Sequence, residues 1–182
     1  MRELQRETGL STVLVTHDPE EAGFLSEDVL VVSAGAALQF GASREVFTHP
    51  ASPAVARLLG ITNLLTGRVV ASGIECGTVT IDVPVDGLAM GDAVSWSVRP
   101  ERVTLTALGD ANAVATLPGT IRDIAYVGVA SDFVVEVAGG FEILVRSADW
   151  LEWSVGDVCG LVVRAEDVSL WPRGDLDVAR RP

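Results

Sequence analysis

The pattern of apolar and polar positions at the start of the chain predicts a strand followed by a helix. Residues 11–16 form an apolar, β-branched run, which is typical of a buried strand. His17 follows this run, and Asp18 and Pro19 come next. Aspartate is a preferred N-cap and proline fits the first helical position, so a helix is expected to begin there.

The next segments predict a hairpin and a second helix. Apolar runs at 29–32 and 36–40 flank Ala34-Gly35, as in a β-hairpin. Ser52-Pro53 is expected to start a helix over 54–59, which ends at Gly60. Strand and helix alternate in these residues, which indicates α/β character.

Beyond Ile61 the helix signals disappear and short strands follow one another. Glycine, aspartate and proline separate them, which predicts a small β-barrel or sandwich. The predicted strands are 67–71, 78–83, 93–98, 121–127, 133–137, 141–145 and 158–163.

This β region repeats itself. Residues 91–105 align without gaps with residues 156–170, and Gly, Asp, Val, Arg, Glu, Val and Leu coincide. Cys159 falls opposite Val94, so a buried core position is expected for both. Two related β units are therefore predicted.

Composition narrows the candidate functions. The chain has 182 residues with 13 basic and 25 acidic side chains, a net charge of −12, and every basic residue is arginine. This negative charge excludes a generic nucleic-acid binder and disfavours electrostatic binding to an anionic membrane surface. No apolar run approaches the roughly 20 residues of a spanning helix, and no signal peptide is expected, so direct membrane insertion is not predicted.

The chemistry-bearing side chains give few candidates by themselves. Cys76 and Cys159 form no CxxC pair, and no His, Cys, Asp or Glu cluster has metal-ligand spacing, so no metal site is predicted. The pairs Arg99-x-Glu101 and Arg164-x-Glu166 fit either ligand-binding charges or charged turns that close two strands.

The segment around His17 resembles a known family. An apolar strand, Thr16-His17-Asp18 and then Glu20-Glu21-Ala22 resemble the switch-histidine region of the nucleotide-binding subunits of ABC transporters. A histidine at the carboxyl end of a strand also lies where α/β sheets bind ligands.

The resemblance continues along the chain. Residues 35–41 resemble the family's Gly-x-x-x-Gln-x-Gly hairpin, and residues 58–67 resemble the junction to a C-terminal accessory domain. Ser97-Val98-Arg99-Pro100-Glu101 resembles the signature of that domain, which is the TOBE or MOP-like, OB-type β-barrel of importer subunits.

This resemblance implies an α+β, mainly β chain. Residues 1–61 are expected to be the C-terminal fragment of an ABC ATPase domain, and residues 62–182 a TOBE/MOP-like barrel of two related β units. The family's match to His17 reaches the γ-phosphate, so His17 is the candidate catalytic and cofactor-binding residue, with ATP and Mg as cofactors of the complete subunit. The implied partners are a second copy of the subunit and the transmembrane permease subunits, at the cytoplasmic side of the inner membrane.

The departures from the family pattern concern the nucleotide site. A chain without lysine cannot contain the P-loop, whose lysine contacts the β- and γ-phosphates. The Q-loop, the Leu-Ser-Gly-Gly-Gln signature and the magnesium-binding strand are also missing. ATP binding or hydrolysis by this chain alone is therefore not expected, and Met1 is expected not to be the start of the functional polypeptide.

Two other interpretations stay open at the level of sequence. The first is a stand-alone β module that binds small solutes of the oxyanion type, favoured by the repeat and the missing catalytic half. The second is a gene remnant without activity. Residues 1–59 argue for the importer subunit, because a free binding module has no need of a strand-histidine-helix segment.

Overall fold

The computed structural model describes residues 9–108, 116–149 and 152–173. These residues fall into two compact units, one within Met1–Gly60 and the other within Ile61–Asp175. None of the helices in these ranges is long and apolar enough to cross a membrane.

The first unit combines three short helices with one β-hairpin. Its elements in chain order are α1 (Pro19–Leu25), β1 (Asp28–Ser33), β2 (Ala36–Ala42), α2 (Ser43–Thr48) and α3 (Pro53–Leu58). The predicted helix starts are confirmed. The carboxylate of Asp18 accepts the backbone N–H groups of Glu20 and Glu21 at 2.8 and 3.3 Å, and Ser52 Oγ accepts the N–H of Val55 at 3.3 Å.

The hairpin of the first unit has one buried and one exposed face. Ala34 and Gly35 both have positive φ angles, of 48° and 77°, which is the conformation of a tight two-residue hairpin turn. Val29 and Val31 point into a small core, where they join residues of α2, α3 and the following turn. The predicted hairpin is therefore confirmed.

The strand predicted at residues 11–16 is wrong. These residues have no strand or helix conformation, and the side chains of Val13 and Val15 are each 91% exposed. A strand exists only through its backbone hydrogen bonds to a neighbour, and no described strand lies beside this run. Apolar, β-branched composition alone does not supply that neighbour.

The second unit is almost entirely β. Its strands are β3 (Asn63–Val70), β4 (Gly73–Cys76), β5 (Val79–Ile81), β6 (Ala93–Val98), β7 (Thr104–Ala107), β8 (Thr116–Tyr126), β9 (Ser131–Val137), β10 (Phe141–Ser147), β11 (Val158–Val162) and β12 (Val168–Pro172). Two single-turn 3-10 helices, Pro100–Arg102 and Ala165–Asp167, precede β7 and β12. The mainly β class predicted from the sequence is confirmed.

The ten strands form two antiparallel sheets of five with the same internal order. One sheet runs β12-β6-β3-β4-β5 and the other β7-β11-β8-β9-β10. Each strand of the first half thus has a counterpart in the second. The last strand of each repeat crosses to the sheet of the other half, so β7 pairs with β11 and β12 pairs with β6.

Hydrogen bonds repeat along with the strands, which confirms the two predicted units. Gly91 N–H donates to the carbonyl of Val69 at 2.9 Å, and Gly156 N–H donates to that of Ile121 at 2.8 Å. In the same turns, the carboxylates of Asp92 and Asp157 accept the N–H groups three residues earlier, at 2.9 and 2.8 Å.

One apolar core serves both sheets. Twenty buried side chains from both halves make up this core, including Trp96, Phe133, Ile74, Ile121 and Leu161. The described strands make two open OB-like sheets instead of the expected closed barrel. Each sheet is open because its two end strands, β12 and β5 in one and β7 and β10 in the other, are not paired with each other.

A buried amide joins the two sheets. Asn63, on β3, is 4% exposed. Its Nδ2 donates to the carbonyl of Leu144 on β10, and its Oδ1 accepts the N–H of the same residue, both at 2.8 Å. The side-chain amide therefore occupies the place of a neighbouring strand at the outer edge of β10.

The two β turns at Gly77 and Gly139 pack directly against each other. A Cβ at Gly77 would overlap the carbonyl oxygen of Gly139, and φ at Gly77 is +61°. Thr78 Oγ1 also donates to the carbonyl of Ala138 at 2.8 Å. Glycine is required here both by the backbone conformation and by the close approach.

Candidate functional site

His17 lies in the bend immediately before α1 and is exposed. The backbone on its C-terminal side is held by two side chains. Thr16 Oγ1 accepts the N–H of Asp18 at 3.1 Å, and the Asp18 carboxylate caps the helix. The local sequence therefore fixes the backbone position from which the His17 side chain extends.

The imidazole of His17 is available to a group from outside the described residues. Its ring makes no hydrogen bond or ion pair to any residue in the described ranges. Asp18 caps α1, and Glu20 and Glu21 lie in its first turn, so three carboxylates near His17 in the chain disfavour a free phosphate at this position. Recognition of a nucleotide here needs additional cationic or backbone donors.

The first unit also carries an exposed apolar surface, which we call the outer ribbon face: Leu30, Val32 and Phe40. Leu30 pairs with Phe40 across the hairpin. The three side chains are 53%, 53% and 71% exposed. A ribbon with an apolar outer face is typical of a layer that another layer covers.

Charged residues of the two Arg-x-Glu segments noted in the sequence lie in or beside the 3-10 turns, where two arginines form ion pairs with acidic side chains of the same protein. Arg99 and Glu101 lie 3.7 Å apart across the first 3-10 turn. Arg102 contacts Asp167 of the second 3-10 turn at 3.8 Å, and these two residues occupy equivalent positions in the two repeats. These ion pairs support the interpretation as charged turns.

The second unit has an open pocket of about 460 Å³ that the sequence did not reveal. The β3–β4 turn, the segment after β5 and the second 3-10 turn surround it, and Asp82 is the charged side chain in its lining. Among the described residues, no group of three or more His, Cys, Asp or Glu side chains could hold a metal ion.

Both cysteines are buried in the core of the second unit, which confirms the core position expected for Cys159. Burial raises the pKa of each thiol, and for Cys76 a hydrogen bond from Trp96 Nε1 at 3.1 Å partly opposes this. A raised pKa keeps both groups as neutral thiols near pH 7, so neither is a candidate nucleophile.

On the outer face of the second sheet, one carboxylate has a lowered pKa. Arg146 Nε and Nη2 each donate to Asp132 at 2.7 Å, and these hydrogen bonds lower the pKa of Asp132. Asp132 lies on β9 and Arg146 on β10. This bidentate pair is structural, since it ties two adjacent strands.

Comparison with known proteins finds a domain family that matches part of the β region. Residues 96–171 match the TOBE domain model. The chain is 35% identical over 152 residues to the spermidine/putrescine import ATP-binding protein PotA of Ruegeria pomeroyi, covering 80% of this chain and 40% of that protein. The corresponding protein of Marinobacter nauticus is 37% identical over 157 residues, covering 79% and 40%.

The similarity extends into the first unit. The Pseudomonas fluorescens protein of the same name is 33% identical over 184 residues, covering 93% of this chain and 48% of that protein. The chain thus spans between two fifths and half of the length of these relatives. The resemblance to part of an ABC importer's ATP-binding subunit is confirmed.

Among solved structures, the chain is similar to the cytoplasmic molybdate-binding protein ModG with molybdate bound. The TM-score is 0.52 at 21% identity, and the match covers 60% of this chain and 95% of that one. At this identity the likeness concerns the fold, and it agrees with the arrangement of the two β repeats.

Proposed function

We propose that this chain, which carries a TOBE domain at residues 96–171, is the switch-histidine and regulatory part of the ATP-binding subunit of an importer. In the complete subunit it couples ATP hydrolysis to solute uptake. The observation that carries this proposal is the extent of the similarity, 79–93% of the chain. The β unit within Ile61–Asp175 is less than two thirds of the chain, so the match includes part of the first unit.

The surface of the first unit supports the same function. The outer ribbon face exposes Leu30, Val32 and Phe40, and Val13 and Val15 are also exposed. In our proposal these side chains pack against the nucleotide-binding core of the ATPase, which contains the P-loop and the magnesium site. ATP and Mg are then cofactors of the assembled subunit, and residues 1–61 and 62–182 divide its work into catalysis and regulation.

His17 is the proposed catalytic residue. When ATP is bound, it supplies a γ-phosphoryl group on which negative charge develops during transfer. The imidazole of His17 can donate a hydrogen bond to that charge, and the bend fixed by Thr16 and Asp18 holds its backbone in place. The proposed partners are a second copy of the subunit and the permease subunits, which hold the protein at the cytoplasmic side of the inner membrane.

A chimaera tests the proposed role of His17. In it, this chain replaces the matching part of the Ruegeria pomeroyi relative, and the rest of that protein is proposed to supply the P-loop. Magnesium-dependent ATP hydrolysis is expected, and His17→Ala should lower its rate about 100-fold or more, as removal of one positioned donor typically does. His49→Ala is the matched control, because His49 is the other histidine of the chain and is also exposed.

Two results would contradict the proposal. The first is a chimaera that hydrolyses ATP equally well with and without His17. The second is a folded, dimeric chimaera without ATPase activity. The names of the relatives make spermidine and putrescine the first solutes to assay for uptake in the same chimaera.

The competing function is binding of an oxyanion by the β unit alone, which the likeness to ModG favours. Isothermal titration of the chain with molybdate distinguishes the two. If the chain binds molybdate saturably near micromolar concentration and the chimaera is inactive, the oxyanion-binding module is the correct function and the importer subunit is not.

A further inference from the structure

Helix α1 lies at the surface of the first unit, and one of its contacts is unusually close. None of its residues is buried. A Cβ added at Gly23, inside the helix, would lie only 3.2 Å from Cζ of Phe47 and 3.4 Å from its Cε2. The ring of Phe47 on α2 therefore lies directly against the backbone of α1. Glycine is unfavourable inside a helix, and this close approach gives a physical reason for it here.

Phe47 is itself held in place by the core of the first unit. Its partly buried ring packs against the small apolar cluster of this unit. The neighbouring residue Val46 and Val55 of α3 belong to that cluster and are fully buried. Because close-packed side chains have little room to shift, the ring transmits the position of the core to the backbone of α1.

Hydrogen bonds continue from the middle of α1 to His17. Ala22, the residue before Gly23, donates its N–H to the carbonyl of Asp18 at 3.1 Å. On the other side of His17, the N–H of Asp18 donates to Thr16 Oγ1 at 3.1 Å. The first turn of the helix and the bend before it are therefore tied together. A displacement of α1 at Gly23 displaces the backbone of His17 as well.

We infer that Gly23 and Phe47 are positioning residues for His17, because their contact sets where α1 lies and hence where the imidazole extends. This inference rests on the proposed function, in which His17 donates a hydrogen bond to the γ-phosphoryl group. A side chain at residue 23 would force a shift of a few tenths of an ångström. A misplacement of about 1 Å can cost about 100-fold in rate, so a shift of this smaller size should cost about tenfold.

Kinetics of the chimaera test the inference. Gly23→Ala should lower kcat about tenfold with little change in KM, because the hydrogen bond from His17 is proposed to form to charge that develops in the transition state. Phe47→Leu, added to Gly23→Ala, should restore most of this rate, because leucine lacks the ring atoms that meet the new methyl group. Two independent destabilising substitutions would instead add their losses.

The matched control is Gly41→Ala, in the same unit. A Cβ at Gly41 would meet side-chain atoms of Glu45 and Val46 at 3.6 Å, which is an ordinary van der Waals distance. This variant should keep the kcat of the parent chimaera. Loss of rate in Gly23→Ala alone would then be a property of the contact between α1 and Phe47.

Nuclear magnetic resonance on the chain itself follows the same coupling without ATP. Gly23→Ala should change the backbone amide shifts of His17 and Asp18, five or more residues away, and Phe47→Leu should reverse the change. Amide shifts that change only at residues 22–24 would overturn the inference, because the helix would then not carry the displacement to His17.

Two kinetic results would also overturn the inference. One is an unchanged kcat for Gly23→Ala in a chimaera whose activity still depends on His17. The other is a further loss of rate when Phe47→Leu is added to Gly23→Ala. A chimaera that is indifferent to His17→Ala contradicts the proposed function itself, and the amide shifts then decide whether the contact sets the position of His17.

Discussion

The two hydrogen bonds between the Asn63 side chain and the backbone of Leu144, at the edge of β10, lead to a quantitative prediction. Asn63→Leu keeps the approximate volume of the side chain but removes both hydrogen bonds to Leu144, which are 2.8 Å long and partly buried. It leaves an N–H and a C=O without a partner, at about 1.5 kcal/mol each. Burying the leucine methyl groups offsets about 1 kcal/mol. The free energy of unfolding should therefore fall by about 2 kcal/mol.

Urea unfolding followed by tryptophan fluorescence measures this change. All four tryptophans come after residue 61, so the signal reports on the second unit. Thr78→Val is the matched control, since it removes one exposed side-chain hydrogen bond to the carbonyl of Ala138. It should cost about 0.5 kcal/mol. The reasoning is refuted if Asn63→Leu destabilises the protein no more than Thr78→Val at an unchanged m-value.

A second substitution at the same position gives a pH dependence with a defined sign. Asn63→Asp keeps an acceptor for the N–H of Leu144 but directs a carboxylate at its carbonyl oxygen, which raises the folded-state pKa of the new carboxyl above its unfolded value. Such a group destabilises the fold at neutral pH, and the penalty falls away as the pH drops through the raised pKa. A penalty that stays constant from pH 7 to pH 4 would contradict this geometry.

Two further predictions concern the second unit. Gly77→Ala should destabilise this unit by about 3 kcal/mol or more, because a Cβ there overlaps the carbonyl oxygen of Gly139. Gly87→Ala is the control, since Gly87 has φ +78° but open space around it, and it should cost about 1 kcal/mol. Thermal melting of the two variants measures the difference. Asp132→Asn should lower stability at pH 7 by at most about 1 kcal/mol, since Arg146 is half exposed. Because the hydrogen bonds from Arg146 lower the folded-state pKa of Asp132, this contribution is present above the unfolded pKa near 3.9 and is lost as the pH falls through the folded value. Urea unfolding at a series of pH values below 3.9 should therefore show the difference between the variant and the parent protein shrinking as the pH falls.

The sequence by itself determined the features that depend on neighbouring residues. Asp18 and Ser52 mark their helices because a side-chain oxygen caps N–H groups two or three residues later. The turn at Ala34-Gly35 and the repeat of residues 91–105 in 156–170 were also readable. The exposed His17, at the start of α1, was identified through the motif around it.

The tertiary structure decided what depends on residues far apart in the chain. Asn63 and Leu144 are 81 positions apart, and no local pattern distinguishes this asparagine from one at the surface. The exchange of β7 and β12 between the sheets is equally invisible in the alignment of the repeats, because each strand keeps its own sequence whichever sheet it joins.

Residues 11–16 are a case in which the prediction from sequence was wrong. Its composition predicted a buried strand, yet Val13 and Val15 are exposed, because burial and backbone pairing require a neighbouring strand. The exposed end of the β8–β9 hairpin, at Tyr126, Val127 and Val129, was likewise predicted only as the end of a strand at residue 127. Its exposure, and the length by which it exceeds the equivalent turn of the first repeat, follow from the register of β8 on β9, which only the folded chain defines.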